Sequence, residues 1–199
     1  DLKFNGVIKS LGNTHWSPKD NRLAAIINNR LYIFDDAQGQ WQQHLPGNNS
    51  IHYVQFLNDD EVLFSSDIDG DWQIWRLNLL DARLSKVTTT GGYSVQIGSK
   101  DNEIFLTKFT QKGIYRLDLS TGKEEVVLPD VEITSWSKWQ VRDDALYLLD
   151  NGELSMLDIS ASKMKAVYRF EQLSPVSFSI SHDQKFILFD TVESSSANI

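Results

Sequence analysis

Leu31-Tyr32-Ile33-Phe34-Asp35, Ile74-Trp75-Arg76-Leu77-Asn78, Ile114-Tyr115-Arg116-Leu117-Asp118 and Leu154-Ser155-Met156-Leu157-Asp158 are four versions of one short segment. Their first residues are 43, 40 and 40 positions apart. Each is apolar-rich and each runs into a turn cluster, such as Asp36-Ala37-Gln38-Gly39 or Ser120-Thr121-Gly122-Lys123. β-Branched, aromatic and leucine residues bounded by Gly, Ser and Asp predict a strand that ends in a turn. A second marker lies upstream of each segment. The acidic turn residues Asp20, Asp60, Asp101, Asp143 and Asp183 follow one another at intervals of 40, 41, 42 and 40. Two independent markers with one period make the chain an internal repeat.

Each unit reads strand, acidic turn, strand, short loop, strand, Ser/Gly turn, strand, most plainly at 94–97, 103–107, 114–117 and 124–128. No stretch carries a helical stripe of apolar residues. Four-stranded units of about 40–45 residues are the mark of propeller blades. A β-sandwich also has short strands with frequent turns, but it does not require such a period. The expected fold class is therefore all-β: a β-propeller of four-stranded antiparallel blades, about five in this chain, either complete or part of a larger propeller. The units fall at about 14–48, 49–92, 93–135, 136–173 and 174–199 of a single domain spanning 1–199. The last unit supplies two strands, 176–180 and 185–191, and lacks its outer half. Residues 2–11, with an Asn5-Gly6 hairpin signal, look like that missing half. Either residues 1–13 complete the fifth blade, or they belong to an earlier blade of a longer propeller.

Composition narrows the function. The 199 residues carry 19 basic and 27 acidic side chains, a net charge of −8, with 41% hydrophobic and 23% charged residues. That is a globular composition. No apolar run approaches the ~20 residues of a membrane span, and the N-terminus does not read as a signal peptide. The chain begins at Asp1 without a methionine, as expected of a fragment or a processed product. Without cysteine there is neither a disulfide framework nor thiolate chemistry. The acidic balance argues against direct nucleic-acid contact, which depends on Lys and Arg neutralising phosphates.

Three stretches carry a family resemblance: the Ser17-Pro18 turn with Asp20, the run from Ser66 through Asp67-Ile68-Asp69-Gly70-Asp71 to Leu77, and Leu117-Asp118-Leu119-Ser120-Thr121-Gly122-Lys123. They resemble TolB-type propeller repeats. Trp72-Gln73-Ile74-Trp75-Arg76 through Val87-Thr88-Thr89-Thr90-Gly91-Gly92-Tyr93 is similar to the C-terminal propeller of bacterial regulators with an N-terminal winged-helix domain, CadC- or ToxR-like in organisation. Thr107-Lys108-Phe109, Gly113-Ile114-Tyr115 and Asp190-Thr191-Val192-Glu193-Ser194-Ser195 fit the same pattern. The likeness covers about residues 50–199. It implies a sensory or interaction domain that receives a small ligand or a protein and signals to a separate DNA-binding domain. The alternative is a stand-alone periplasmic protein-binding scaffold of the TolB kind. The first implies a periplasmic location behind an upstream membrane helix; without that helix the location is cytoplasmic.

No catalytic constellation is present in the sequence. There is no Gly-x-Ser-x-Gly elbow, no glycine-rich phosphate loop and no His-Glu-x-x-His. His15, His44, His52 and His182 lack ligand-type spacing, so the expectation is a non-enzyme with no cofactor and no bound metal. Asp67-Ile68-Asp69-Gly70-Asp71 has the alternating carboxylates calcium favours, but it lacks a following Glu and sits where a hairpin turn is needed. Turn chemistry is the preferred reading there. Trp16, His52, Tyr53, Tyr93 and Trp136 are the candidate ligand-binding residues. All lie at or near the start of a unit's first strand, which lines a propeller's channel, and aromatic rings with imidazoles suit a pocket mouth. The competing and slightly preferred expectation is that these rings pack blade against blade. Trp41, Trp72, Trp75 and Trp139 are assigned to packing.

Overall fold

The computed structural model describes residues 2–191 apart from 46, 48, 133, 134, 172–174 and 182. His182 and residues 192–195, quoted above, lie outside the described residues. Strands fall where the repeat puts them. The first sheet holds β1 (Leu11–Trp16), β2 (Arg22–Ile27), β3 (Arg30–Asp35) and β4 (Gln40–His44). The second holds β5 (Ile51–Asn58), β6 (Glu61–Ser66), β7 (Gln73–Asn78) and β8 (Leu84–Lys86). β9 (Val95–Ile97), β10 (Glu103–Leu106), β11 (Ile114–Asp118) and β12 (Glu124–Leu128) form the third. The fourth comprises β13 (Trp139–Arg142), β14 (Ala145–Asp150), β15 (Glu153–Asp158) and β16 (Lys163–Arg169). Each sheet is ordered as the chain runs, as hairpin-linked antiparallel strands require.

These are four propeller blades, which corrects the expected number of about five. The fifth unit contributes only a hairpin, β17 (Pro175–Ile180) with β18 (Ile187–Thr191). Residues 2–10 carry no strand, because a side chain takes the place of a partner strand there. The Asn28 carboxamide accepts from the N–H groups of Lys9 (2.7 Å) and Ser10 (3.1 Å) and donates to the Val7 carbonyl (2.8 Å). Phe4 stands edge-on to Tyr32 with centroids 5.0 Å apart, holding the segment along the first sheet.

The Asp or Asn that ends each marker segment now has a physical cause. Asp35, Asn78, Asp118 and Asp158 terminate the third strands, and each Oδ1 accepts backbone N–H groups of the following turn. Such Asx turns stop the strand and satisfy donors that the ladder no longer reaches.

The chain divides into two compact units, Asp1–Ile97 with Ile104–Val131, and Gly98–Glu103 with Glu132–Ile199. In the first unit, Ala24, Ile26, Leu31 and Ile33 pack against Ile51, Val54, Phe56, Val62, Phe64, Trp75 and Leu77. Alternate residues of the first two sheets thus make one core. Polar side chains tie the innermost strands together. Asn13 Nδ2 donates to the Val54 carbonyl at 2.6 Å, and its Oδ1 accepts from the Val54 N–H at 2.8 Å. The Gln55 carboxamide, turned to its favourable orientation, bonds the Val95 carbonyl and the Ile97 N–H in the same manner. In the second unit Gln140 accepts from the Ile180 N–H at 2.8 Å. The 40-residue sequence period returns as a hydrogen-bond period, 41 residues for Asn13 and 40 for Gln140. The second unit's core gathers Tyr147, Leu149, Leu154 and Ile180.

Candidate functional site

The four sequence-predicted residues of the first unit, Trp16, His52, Tyr53 and Tyr93, do not gather at one point. Trp16 is the last residue of β1, not an early one, and is 55% exposed. It lies at the end of the unit where the Lys19 N–H meets Asp59. His52 lies at the opposite end, next to Ile51, whose N–H donates to the Asn29 carbonyl. Tyr53 is 3% exposed, with its hydroxyl 3.3 Å from Gln55 and 3.2 Å from Gln96 Nε2, so it serves the core. Trp136 opens a 3-10 turn in the second unit. Of the four in the first unit, only His52 and Tyr93 come together.

They do so through two rings assigned to other roles or overlooked. His52 lies 4.5 Å from Trp72, Trp72 lies 5.0 Å from Phe109, and Phe109 lies 4.3 Å from Tyr93. The four side chains form a continuous aromatic ledge across the second and third sheets of the first unit. Phe109 is 46% exposed and the other three are half-buried. Tilted rings at these spacings attract one another by about 0.5–1.5 kcal/mol per pair beyond area burial. The expectation that Trp72 only packs is thus half right. The signal for Phe109 was present, a lone aromatic ahead of the polar turn Thr110-Gln111-Lys112-Gly113.

The backbone beneath the ledge is closely specified. Gln73 Oε1 accepts from the Thr88 hydroxyl (2.7 Å) and the Gly91 N–H (3.0 Å), and the Gly92 N–H donates to the Trp72 carbonyl (2.9 Å). The β8–β9 connection is thereby folded back over β7. Gly91 has φ +106, where only glycine is at ease. A Cβ on Gly92 would stand 2.8 Å from the Ile74 backbone nitrogen, so nothing larger fits. The Tyr93 N–H then donates to the Thr107 carbonyl at 2.8 Å, setting Tyr93 beside Phe109. Lys108 anchors the other side. Its buried ammonium donates to Glu124 (2.5 Å) and Thr90 (2.9 Å) and lies 4.0 Å from the centre of the Tyr115 ring. A buried lysine so paired is satisfied and structural.

Desolvation pushes the His52 pKa down, and the nearby Asp67 carboxylate only partly offsets it, so the imidazole is neutral at neutral pH. Asp67 accepts from the Ser50 N–H at 2.8 Å, Asp69 pairs with Lys86 at 2.7 Å, and Gly70 turns the chain at φ +98. These carboxylates are engaged in turn chemistry. Among the described residues, no group of three or more His, Cys, Asp and Glu side chains is placed to hold a metal ion. Of the other tryptophans, Trp75 and Trp139 are buried, and Trp41 packs on Phe34 at 5.2 Å.

No protein-family model matches the chain, and no curated protein matches it. Solved structures do. TolB from Acinetobacter baumannii superposes with a TM-score of 0.73 at 16% identity, covering 93% of this chain and 49% of that one. A chain of a nidogen/laminin complex gives a TM-score of 0.66 at 8% identity over 83% of this chain and 66% of that one. The tricorn protease gives 0.54 at 17% identity, over 89% of this chain and 19% of that one. At such identities the likeness shows the fold, a β-propeller. This chain spans about half the length of the TolB chain it matches.

Proposed function

We propose that this chain is a non-catalytic interaction domain that takes a protein partner on the ledge His52–Trp72–Phe109–Tyr93. The observation that carries the proposal is the exposure of Phe109 on top of a closely specified loop scaffold. Aromatic side chains with one polar tip are the residues on which protein contacts concentrate their binding energy. Likeness to TolB supports the scaffold part of this reading. The resemblance of residues 72–76 and 87–93 to winged-helix regulators supports the sensory part, in which partner binding is passed to a separate DNA-binding domain. A stand-alone periplasmic scaffold is the second reading, favoured by the TolB superposition itself. Gene sequence on either side of this chain separates the two: a winged helix supports the first, a signal peptide the second.

The ledge is tested by placing a photo-crosslinking benzoylphenylalanine at position 109 in producing cells, with the still more exposed position 188 as the control. A discrete protein adduct is expected at 109, absent at 188 and lost when Tyr93→Ala is added. Identical adduct patterns at both positions, or no adduct at 109, overturn the reading.

A further inference from the structure

The outermost strand of the first sheet differs from the other three outermost strands. β8 carries Lys86, β12 carries Glu124 and Glu125, and β16 carries Lys163, Lys165 and Arg169. β4 reads Gln40-Trp41-Gln42-Gln43-His44 and contains no Asp, Glu, Lys or Arg. Residues 40, 42 and 44 share one face, because side chains alternate along a strand. Across the ladder they stand opposite Asp35, Ile33 and Leu31, and Leu31 and Ile33 belong to the face packed on the second sheet. An apolar sheet face therefore continues outward as a row of neutral hydrogen-bonding groups. The row borders a cleft of about 410 Å³, with Ile33 and Leu79 also among its walls.

The groups around the cleft are matched to one kind of ligand. The Gln40 and Gln42 carboxamides make no hydrogen bond within the protein among the described residues, and each offers donors and an acceptor. His44 is kept neutral by desolvation and by the Arg22 charge, so its ring also offers one donor and one acceptor. Asp35 and Arg22, the charged groups at the cleft, are already committed. Asp35 accepts from the Ala37 N–H at 2.9 Å, while Arg22 donates to Asp20 at 2.6 Å and to the Asp59 carbonyl. The two are of opposite sign, so the cleft carries no net charge to draw an ion. A second cleft of about 380 Å³ shares Arg22 and Asp35, and its wall adds Lys19, Asp20 and Asp36, so charges of both signs surround it. A ligand suited to this site is uncharged, rich in groups that both donate and accept, and has an apolar face for Leu79.

We propose that this cleft binds a neutral polyhydroxylated ligand, a pyranose-ring sugar, seated against Leu79 and hydrogen-bonded by Gln40, Gln42 and His44. The site is distinct from the aromatic ledge, so either proposal stands or falls alone.

The test uses the whole chain and a panel of methyl pyranosides, with N-acetyl-(Gly-Ser)3-amide as a neutral peptide probe. Side-chain NH₂ signals of Gln40 and Gln42 are followed by ¹H–¹⁵N NMR during titration. At least one pyranoside is expected to shift both signals saturably with a millimolar Kd, and Gln42→Ala is expected to weaken it about tenfold or more. Phe109→Ala is expected to leave that titration unchanged. The proposal is overturned if no pyranoside moves the two glutamine signals, or if the peptide moves them as strongly as the sugars. The wild-type titration stands by itself should the Gln42 variant fold poorly.

Discussion

β6 and β18 hold the same place in the repeat, the strand that follows the acidic turn. Glu61-Val62-Leu63-Phe64-Ser65-Ser66 and Ile187-Leu188-Phe189-Asp190-Thr191 even share a Leu-Phe pair. All six residues of β6 are buried, whereas Leu188 is 76% and Phe189 39% exposed. β6 lies between β5 and β7 and has Val62 and Phe64 in the core shared with the first sheet, while β18 pairs with β17 alone among the described residues. A short continuous apolar run therefore makes a strand. Whether that strand is buried depends on what covers its faces and edges.

The sharpest way to break this comparison is to shorten the matching leucines. Leu63→Ala is expected to lower the unfolding free energy by about 2–5 kcal/mol, the cost of a cavity in a packed core. Leu188→Ala should change it by no more than about 0.5 kcal/mol, as at an exposed position. Equal shifts in urea midpoint would mean that the hairpin is covered in solution.

A smaller effect separates the polar ties of the two units. Asn13→Ala strands a buried N–H and a buried carbonyl of Val54, costing about 1–3 kcal/mol for each unsatisfied group. Gln140→Ala removes a single contact to Ile180 in a part-buried setting and should cost less. Denaturant titration of both variants checks the order. A larger loss for Gln140→Ala would contradict it.

The smallest effect is in acid. Glu61 is held below its ordinary pKa by hydrogen bonding to Arg76, and Asp183 by hydrogen bonding to the Ser181 hydroxyl. With folded values below the unfolded values near 4, each contributes stability that is complete above about pH 5 and is lost as pH falls through the folded value. Glu61→Gln should therefore flatten the fall in stability below about pH 4 more than Asp183→Asn, because Glu61 is buried and Asp183 lies in an exposed turn. Thermal melts from pH 3 to 7 read the difference.

Period, strand order and turn positions were legible in the residues, because they are local. An alternating apolar run and an Asx cap such as Asp118 act within one hairpin, wherever that hairpin lies. The third sheet illustrates it, with 103–107 read from sequence and Glu103–Leu106 found. Number of blades was not legible to the same degree. Residues 2–10 have the composition of a strand pair, and only the Asn28 carboxamide, distant in sequence, shows how their backbone is satisfied. The candidate site was half legible. His52 and Tyr93 stood out as aromatic or imidazole groups at strand starts, but Trp72 was assigned to packing and Phe109 was given no role. Their convergence depends on Gln73 and Gly92 folding one loop back over β7, through contacts between groups 15 to 20 residues apart. Sequence by itself determined the repeating strand and its turns, since backbone propensity and capping are settled over a few residues. Only tertiary structure decided which rings meet, which strands are covered and which polar groups remain free, since those depend on neighbours that sequence spacing does not name.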